Sequence, residues 1–253
     1  MKDNLKIAKT LIEALPYIQE FRGKTVVLKF GGSIGSKEFA NFSRDLVLMK
    51  FVGINPVVVH GGGTEITKAL SSSNIKANFV NGLRVTCDKT MEIVEKVLVG
   101  KVNKQIVSKI KSNGGVSVGL SGRDHELLKV KKIKSSKKGV DLGRVGEIVK
   151  VNVAHIFELQ NKGYIPVIAP IGLNSKGLAY NINGDYAASK IASSLNAEKL
   201  IILTDVEGIK DKDNNLISSI SKKSANSLIK SGVIASGMVP KVKCMIDALT
   251  EGV

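Results

Sequence analysis

The sequence predicts an α/β fold in which mainly parallel strands are covered by helices. Residues 26–30 are mostly branched or aromatic and indicate a strand buried on both faces, as parallel strands under helices are. A strand, a glycine turn and a helix then follow one another twice, first around Gly31 and again around Gly62. A third apolar run, residues 165–169, follows a helical segment and predicts another buried strand.

Length and composition are those of a globular protein with a sizeable core. With 253 residues, 43% of them hydrophobic, the chain can form one large unit or two lobes that share a sheet. We expect a cytoplasmic protein without a membrane partner, because no apolar run reaches the roughly 18 residues of a membrane span and no signal peptide is recognisable. Cys87 and Cys244 are too few for a disulfide framework, and they are not spaced as metal ligands.

The net charge of +16 is compatible with nucleic-acid binding. Two features argue against it. Arginine, the better ligand for phosphates and bases, is scarce, whereas lysine is spread over the whole chain. Aromatic residues, on which bases would stack, make up only 4%. We therefore expect a lysine-rich surface without a nucleic-acid partner.

The first predicted elements are a helix and two strand–turn–helix units. Residues 4–21 have apolar residues at helical spacing, interrupted by Pro16, and predict a kinked amphipathic helix that packs on its own subunit or on another. After the strand at 26–30, we expect a helix capped by Ser36. A second strand, residues 56–59, leads to a helix that we expect Thr64 to cap.

Lys29 and the glycines around it are the strongest sign of a site in the first half. An ammonium group in a buried strand needs an anion or a carboxylate partner, and Gly31 and Gly32 would let a phosphate approach the backbone closely. The alternative is a lysine that reaches solvent at a strand end, followed by an ordinary turn. The triple glycine after His60 suggests a tight backbone or a ligand against amide groups at a helix N-terminus.

The middle of the chain is predicted to alternate between helices and strands. Arg84, in a turn and strand at 78–86, could bind a ligand carboxylate in bidentate fashion or form an internal salt bridge. Two helical patterns follow, at 88–98 and 102–110. The other predicted elements are a strand at 116–120, antiparallel strands at 129–133 and 145–149 around a basic loop, and a helix at 154–162.

The last third of the chain carries a second polar cluster. Asp185 stands before an alanine-rich helix, where the commonest use of such a residue is to cap the helix. A strand at 199–203 ends in the polar turn 204–208, and open α/β sheets hold ligands at the carboxyl ends of their strands. Pro240 suits the first turn of another helix and would place Lys241 beside exposed amides.

Together these features describe an anion-binding site. The sequence contains no P-loop, no G-x-G-x-x-G, no H-E-x-x-H and no G-x-S-x-G motif. His60, His125 and His155 lack metal-ligand spacing, so we predict no metal held by protein side chains. His60, beside the glycines, is the histidine closest in sequence to the predicted site.

Six segments resemble those of the N-acetylglutamate kinases, a group within the amino acid kinase family. The resemblance runs in order from about Lys24 to the end of the chain. The histidine with three glycines and the N-G-L-R-V-T stretch distinguish this group from carbamate, aspartate and uridylate kinases. The segments are K-F-G-G from Lys29, V-V-V-H-G-G-G to Gly63, F-V-N-G-L-R-V-T from Phe79, N-I-N-G-D to Asp185, L-T-D-V-E-G to Gly208 and G-M-V-P-K to Lys241.

The resemblance implies a three-layer fold, with an open, mainly parallel sheet sandwiched by helices. It also implies transfer of the ATP γ-phosphoryl group to the γ-carboxylate of N-acetyl-L-glutamate, the second step of arginine biosynthesis. Residues 24–178 would form the lobe for the amino acid and residues 179–253 the lobe for the nucleotide. Mg²⁺ would be held mainly by the ATP phosphates. The enzyme would be a homodimer, or a hexamer joined through the helix in residues 1–23.

The resemblance also assigns roles by position. Lys29 and Lys241 would stabilise the transferring phosphoryl group, and Asp185 would orient these lysines as the third catalytic residue. A carboxylate nucleophile is ionised at neutral pH, so no general base is needed. The acid would be bound by Gly62, Gly63, Arg84 and Asn181, with Arg84 on its α-carboxylate. The nucleotide and its phosphates would be bound by Gly31, Gly32, Thr204, Asp205, Val206, Gly208, Ile209, Lys210, Gly237 and Met238.

The C-terminus departs from the family pattern, and two other functions stay open. Family members usually continue for a few dozen residues beyond the position of Gly252, so with Val253 last we expect a nucleotide lobe that is truncated or completed differently. Arginine-inhibited members use that segment in their inhibitor site, which makes feedback inhibition a hypothesis only. The alternatives are a kinase for a related acid such as N-acetyl-aminoadipate and a non-catalytic module that binds anions or nucleic acid.

Overall fold

A parallel sheet forms the centre of the protein. The structure, a computed structural model, describes residues 2–31, 36–133, 139–235 and 237–253. In these residues the central sheet has five strands, and each neighbouring pair is parallel. In spatial order the strands are β11 (Lys199–Leu203), β1 (Thr25–Phe30), β2 (Asn55–His60), β8 (Ile165–Ala169) and β5 (Ser117–Ser121).

A second, mixed sheet continues from the carboxyl end of β8. Its β9 (Ile171–Leu173) begins directly after Pro170, where β8 has ended. The other strands are β10 (Ala179–Asn181), β6 (Leu128–Lys132) and β7 (Gly146–Val151), and β6 and β7 are antiparallel as predicted. A short hairpin, β3 (Phe79–Val80) and β4 (Leu83–Arg84), carries Arg84.

Helices cover both faces of the central sheet. The α-helices of the described residues are α1 (Lys2–Phe21), α2 (Ser36–Phe51), α3 (Gly63–Ser72), α4 (Asp88–Val97), α5 (Lys104–Ser112), α6 (Ala154–Asn161), α7 (Gly184–Ser194), α8 (Lys222–Lys230) and α9 (Met238–Thr250), and those that pack on the sheet are α2 to α7. Alternate residues of β1 belong to different clusters: Leu28 packs with α2 to α5, and Val27 packs with α6 and α7. The predicted three-layer α/β fold is therefore confirmed.

Helix α1 does not bury its apolar residues against the described part of the chain. It is one helix that contains Pro16, and Leu5, Leu11, Ile12 and Tyr17 are each at least 65% exposed. Of the two predicted ways to cover this face, packing on its own subunit is therefore wrong for these side chains. Among the described residues, none of the helices combines the length and apolarity needed to cross a membrane.

Several local predictions need correction. Helix α3 begins at Gly63, so Thr64 lies inside the helix and does not cap it. The helical patterns at 88–98 and 102–110 are not separate helices, because a π-helical turn, Leu98–Asn103, joins α4 directly to α5. The basic loop at 134–138 lies outside the described residues.

Candidate active site

The carboxylate of Asp185 is the meeting point of two lysines from distant parts of the chain. Lys29 Nζ lies 2.8 Å from Asp185 Oδ1, and Lys241 Nζ donates a hydrogen bond of 3.2 Å to Asp185 Oδ2. Asp185 lies in the first turn of α7, which Asn183 caps, so the predicted capping role of Asp185 is wrong. Its carboxylate is left free to bind both ammonium groups.

The ion pair between Lys29 and Asp185 is buried, where water screens it little. Lys29, near the end of β1, is 7% exposed and Asp185 is 8% exposed. Burial alone would raise the pKa of Asp185, but the ammonium groups of Lys29 and Lys241 outweigh it and hold that pKa below its ordinary value. Asp185 is therefore an ionised carboxylate at neutral pH. The prediction that Lys29 needs an anionic partner is confirmed, and the alternative of a lysine reaching solvent is wrong.

A small cavity opens on the Lys29 side of this cluster. Its volume is about 190 Å³. Helix α3 points its first turn into it, and no side chain caps that helix, so amide N–H groups at its start have no side-chain partner. The predicted acid-binding residues Gly62, Gly63, Arg84 and Asn181 all line this cavity. The structure thus brings Lys29, Asp185 and these four residues together.

Arg84 presents an unpaired donor in the small cavity. Its Nη2 donates hydrogen bonds of 2.9 Å to Gly63 O and Thr67 Oγ1, whereas its Nη1 is buried without a partner. The ring of Phe79 lies 4.6 Å from the guanidinium carbon. Among the described residues Arg84 forms no ion pair, so the alternative of an internal salt bridge is wrong. A ligand with an acceptor oxygen would satisfy Nη1.

A larger cavity opens on the Lys241 side. Its volume is about 700 Å³, and it lies at the carboxyl end of β11 between the following turn and α9. Lys210 lines an adjoining cavity of about 600 Å³ that shares much of this wall. The predicted nucleotide-binding residues that line the larger cavity are Thr204, Asp205, Val206, Gly208, Ile209 and Met238.

Two of the remaining predicted phosphate-binding residues, Gly31 and Gly237, lie close to Lys29 and Asp185. Gly31 follows β1, and a Cβ there would be in van der Waals contact with Lys29 Nζ and Leu203 O, at 3.6 Å from each, so this position lies beside the Lys29 ammonium group. Gly237 is the N-terminal cap of α9 and lines a fourth cavity, of about 550 Å³, beside Asp185. Gly32 lies outside the described residues.

Sequence reasoning missed one buried polar pair beneath the small cavity. His60 and Asn103 are both buried, and Asn103 Nδ2 lies 3.1 Å from His60 Nε2. Leu98, Val102, Ile106 and Ile110 recur every fourth residue, a spacing that an ordinary α-helix also allows, so it does not reveal the π-helical turn that carries Asn103.

Comparisons with known proteins agree with this architecture. Residues 24–253 match the sequence profile of the amino acid kinase family. The acetylglutamate kinase of Caldanaerobacter subterraneus subsp. tengcongensis is 53% identical, and the match covers 99% of this chain and 85% of that protein. The acetylglutamate kinase of Aquifex aeolicus is 51% identical, with 100% and 90% covered.

Solved structures share the fold. The N-acetylglutamate synthase of Neisseria gonorrhoeae, complexed with coenzyme A and N-acetyl-glutamate, has a TM-score of 0.87 at 27% identity, over 97% of this chain and 56% of that one. This chain therefore spans little more than half of the synthase. The carbamate kinase of Giardia lamblia bound to AMP-PNP has a TM-score of 0.63 at 16% identity, over 91% and 90%, and that likeness concerns the fold alone. On its sequence profile, its relatives and its fold, the chain belongs to the amino acid kinase family.

Proposed function

We propose that this protein transfers the γ-phosphoryl group of ATP to the γ-carboxylate of N-acetyl-L-glutamate, a step of arginine biosynthesis. The observation that carries the proposal is the convergence of Lys29, which lines the small cavity, and Lys241, which lines the larger one, on the carboxylate of Asp185. Relatives at about half identity over nearly the whole chain carry the name acetylglutamate kinase, which supports the choice of acid.

The small cavity takes the acid. Arg84 Nη1, buried and unpaired, donates to the α-carboxylate of the acid. The uncapped amides at the start of α3 also face this cavity and favour negative charge, as helix N-termini do. A volume of about 190 Å³ suits a small acid and is too small for a nucleotide, which leaves the larger cavity to ATP.

The two lysines stabilise the phosphoryl group in the transition state of its transfer. When a carboxylate attacks ATP, two anions approach each other and charge spreads over the equatorial oxygens of the phosphoryl group. Ammonium groups fixed in advance by one buried carboxylate stabilise that charge without reorganising. The acceptor carboxylate is ionised at neutral pH, so the reaction requires no general base.

The proposal includes Mg²⁺ bound to ATP. Among the described residues, His, Cys, Asp and Glu form no group of three that could hold a metal ion. Asp185 is already bound by two ammonium groups. The ATP phosphates would therefore hold the ion, and its charge would add to that of the lysines.

The proposal also covers organisation and location. We assign residues 24–178 to the acid and residues 179–253 to the nucleotide, as two lobes, and place the reaction in the cytoplasm. The exposed apolar face of α1 supports a role for residues 1–23 in joining copies of this chain, as dimers or hexamers. Light scattering of the whole chain and of a chain without α1 tests this part, and equal masses would contradict it.

The activity is tested by an ATP-dependent hydroxamate assay, which traps the acyl phosphate itself. We expect hydroxamate with N-acetyl-L-glutamate and much less with N-acetyl-aminoadipate, whose side chain is one methylene longer. Equal or greater activity with the longer acid would change the substrate. Absence of product with both acids, together with salt-dependent DNA binding, would replace the kinase by the non-catalytic alternative.

A further inference from the structure

Two buried polar residues have no part in the phosphoryl transfer proposed above. His60 is the last residue of β2 and is 0% exposed, and Asn103 is the last residue of the π-helical turn and is 4% exposed. Asn103 Nδ2 lies 3.1 Å from His60 Nε2. His60 stands directly before Gly61, Gly62 and Gly63, which line the small cavity, so this pair lies directly behind the acid-binding loop.

The hydrogen bonds define one tautomer of His60. Its Nδ1 lies 2.9 Å from Gly61 O, which can only accept, so Nδ1 carries the proton. Nε2 then accepts from the side-chain amide of Asn103. Burial lowers the pKa of His60 to about 4, and the ring is therefore neutral at neutral pH. In this state one ring nitrogen holds the glycine loop and the other is held by Asn103.

Asn103 is itself anchored to the central sheet. Its Nδ2 donates to Val167 O on β8 at 2.9 Å and lies 3.3 Å from Leu120 O on β5. The amide therefore contacts three neighbouring strands of the central sheet, β2, β8 and β5. A Cβ at Gly119 would lie 2.0 Å from Asn103 Oδ1, so β5 carries a glycine where this side chain approaches it.

The π-helical turn brings a second contact to the same loop. Leu98, five residues before Asn103, packs so closely against Gly62 that a Cβ there would lie 2.5 Å from Leu98 Cδ2. At 100° per residue, side chains five apart in an α-helix point about 140° away from each other. In a π-helical turn, hydrogen bonds join residues i and i+5, so such side chains lie on one face. The turn thus directs Leu98 and Asn103 to the loop together.

We propose that Asn103 is a positioning residue for the acid site: through His60 it fixes the 60–63 loop so that its amides face the small cavity. The inference rests on the proposed function and extends it to a residue outside the cavity. Asn103 lines neither the small nor the larger cavity. The alternative is that Asn103 only satisfies buried polar groups of the sheet, as many core side chains do.

The test compares Asn103→Leu, which removes the amide at similar volume, with Ser117→Ala. Ser117, on β5, is a matched control because it is buried like Asn103. Its hydroxyl donates to Val107 O of α5, away from the loop. We expect Asn103→Leu to raise KM for N-acetyl-L-glutamate about tenfold or more, with KM for ATP within about twofold of wild type. Ser117→Ala should leave both KM values within about twofold of wild type.

A second measurement does not depend on activity. In wild type, two-bond proton–nitrogen NMR spectra should show the His60 ring protonated on Nδ1, and the amide of Gly61, which donates to Phe30 O at 2.8 Å, should be protected from exchange. Asn103→Leu should lose that protection, and Asn103→Ser serves where Asn103→Leu does not fold. The inference is overturned if loop exchange and KM for the acid match those of Ser117→Ala. An inactive wild type would overturn the proposed function, while loop exchange would still decide this inference.

Discussion

Asn183 Oδ1 accepts a hydrogen bond from the backbone N–H of Asp185 at 2.9 Å and another from Tyr186 at 3.0 Å. Helix α7 is therefore capped by a residue two positions before Asp185. The carboxylate of Asp185 does not bend back to the backbone of its own helix. It projects to Lys29 and Lys241, which makes the helix cap a determinant of the geometry at the site.

Loss of this cap should affect both stability and turnover. We expect Asn183→Ala to lower the free energy of unfolding by about 1 kcal/mol, since two amides of α7 lose their acceptor. It should also lower kcat, because Asp185 is no longer held in place. Urea unfolding and the hydroxamate assay at saturating substrates measure the two effects.

The matched control for this prediction is Ser221→Ala. Ser221 caps α8 in the same way, by accepting from the N–H of Ser224 at 3.1 Å. Ser221→Ala should lower the free energy of unfolding by a similar amount and leave kcat unchanged. Asn183→Ser, which restores a cap, should recover most of both losses. If Asn183→Ala and Ser221→Ala had the same kcat, the link between cap and carboxylate would be wrong.

Removal of Lys241 should slow the chemical step. Lys241→Ala removes one of the two ammonium groups that contact Asp185 and that we propose stabilise the phosphoryl group. We expect kcat to fall about 10²- to 10³-fold, or roughly 3 to 4 kcal/mol, by analogy with loss of an oxyanion donor. Lys223→Ala on α8 is the control, because Lys223 is exposed and forms no ion pair with the described residues. Near wild-type turnover of Lys241→Ala would contradict the role given to this lysine.

Arg84 should control affinity for the acid. Arg84→Lys keeps a positive charge but cannot hold Gly63 O and Thr67 Oγ1 with one nitrogen while it offers another to a ligand. We expect KM for N-acetyl-L-glutamate to rise by about tenfold or more, with KM for ATP nearly unchanged. Arg123→Ala, which removes a surface partner of Glu95, is the control. An effect confined to KM for ATP would contradict the assignment of the acid to the cavity that Arg84 lines.

The sequence predicted the fold and most of the site because its signals there are local. Buried strands, glycine turns and helices repeat along the chain, and parallel strands bring their carboxyl-end loops to one edge. Lys29 was recognisable because a charge in a buried strand requires a partner. That Asp185 would be this partner could not be deduced from spacing, since the contact joins residues far apart in the chain.

The errors in prediction have physical causes. Thr64 is a good capping residue, but α3 starts two residues earlier than such a cap implies, at Gly63, and takes Gly62 as its cap. The π-helical turn was missed because the helical period was read as the usual 3.6 residues. The partner of His60 was not predictable, because Asn103 reaches it only through that turn and a glycine on β5.

The 60–63 loop, which we propose binds the acid, offers a pair of matched alanine variants. A Cβ at Gly62 would lie 2.5 Å from Leu98, which is buried in the core, so Gly62→Ala should destabilise the protein by about 1 to 3 kcal/mol and raise KM for the acid. A Cβ at Gly63 meets nothing within 4 Å, so Gly63→Ala should keep wild-type stability. Thermal unfolding, together with KM measured for N-acetyl-L-glutamate, tests the two variants. Equal stability of the two variants would show that Leu98 does not constrain the loop.

His60 should make stability depend on pH below neutrality. Its pKa is about 4 when folded and 6.5 for an ordinary histidine, so between these values the unfolded chain binds a proton that the folded protein does not. Stability should therefore fall as pH drops from 6.5 to 4, by about 3 kcal/mol from this residue alone, since one pKa unit corresponds to about 1.4 kcal/mol. Urea unfolding at several pH values should show that slope in wild type and a shallower one in His60→Asn. Asn103→Leu, with His60 still buried, should keep most of the slope. Parallel curves for wild type and His60→Asn would mean that His60 does not stay neutral in the folded protein.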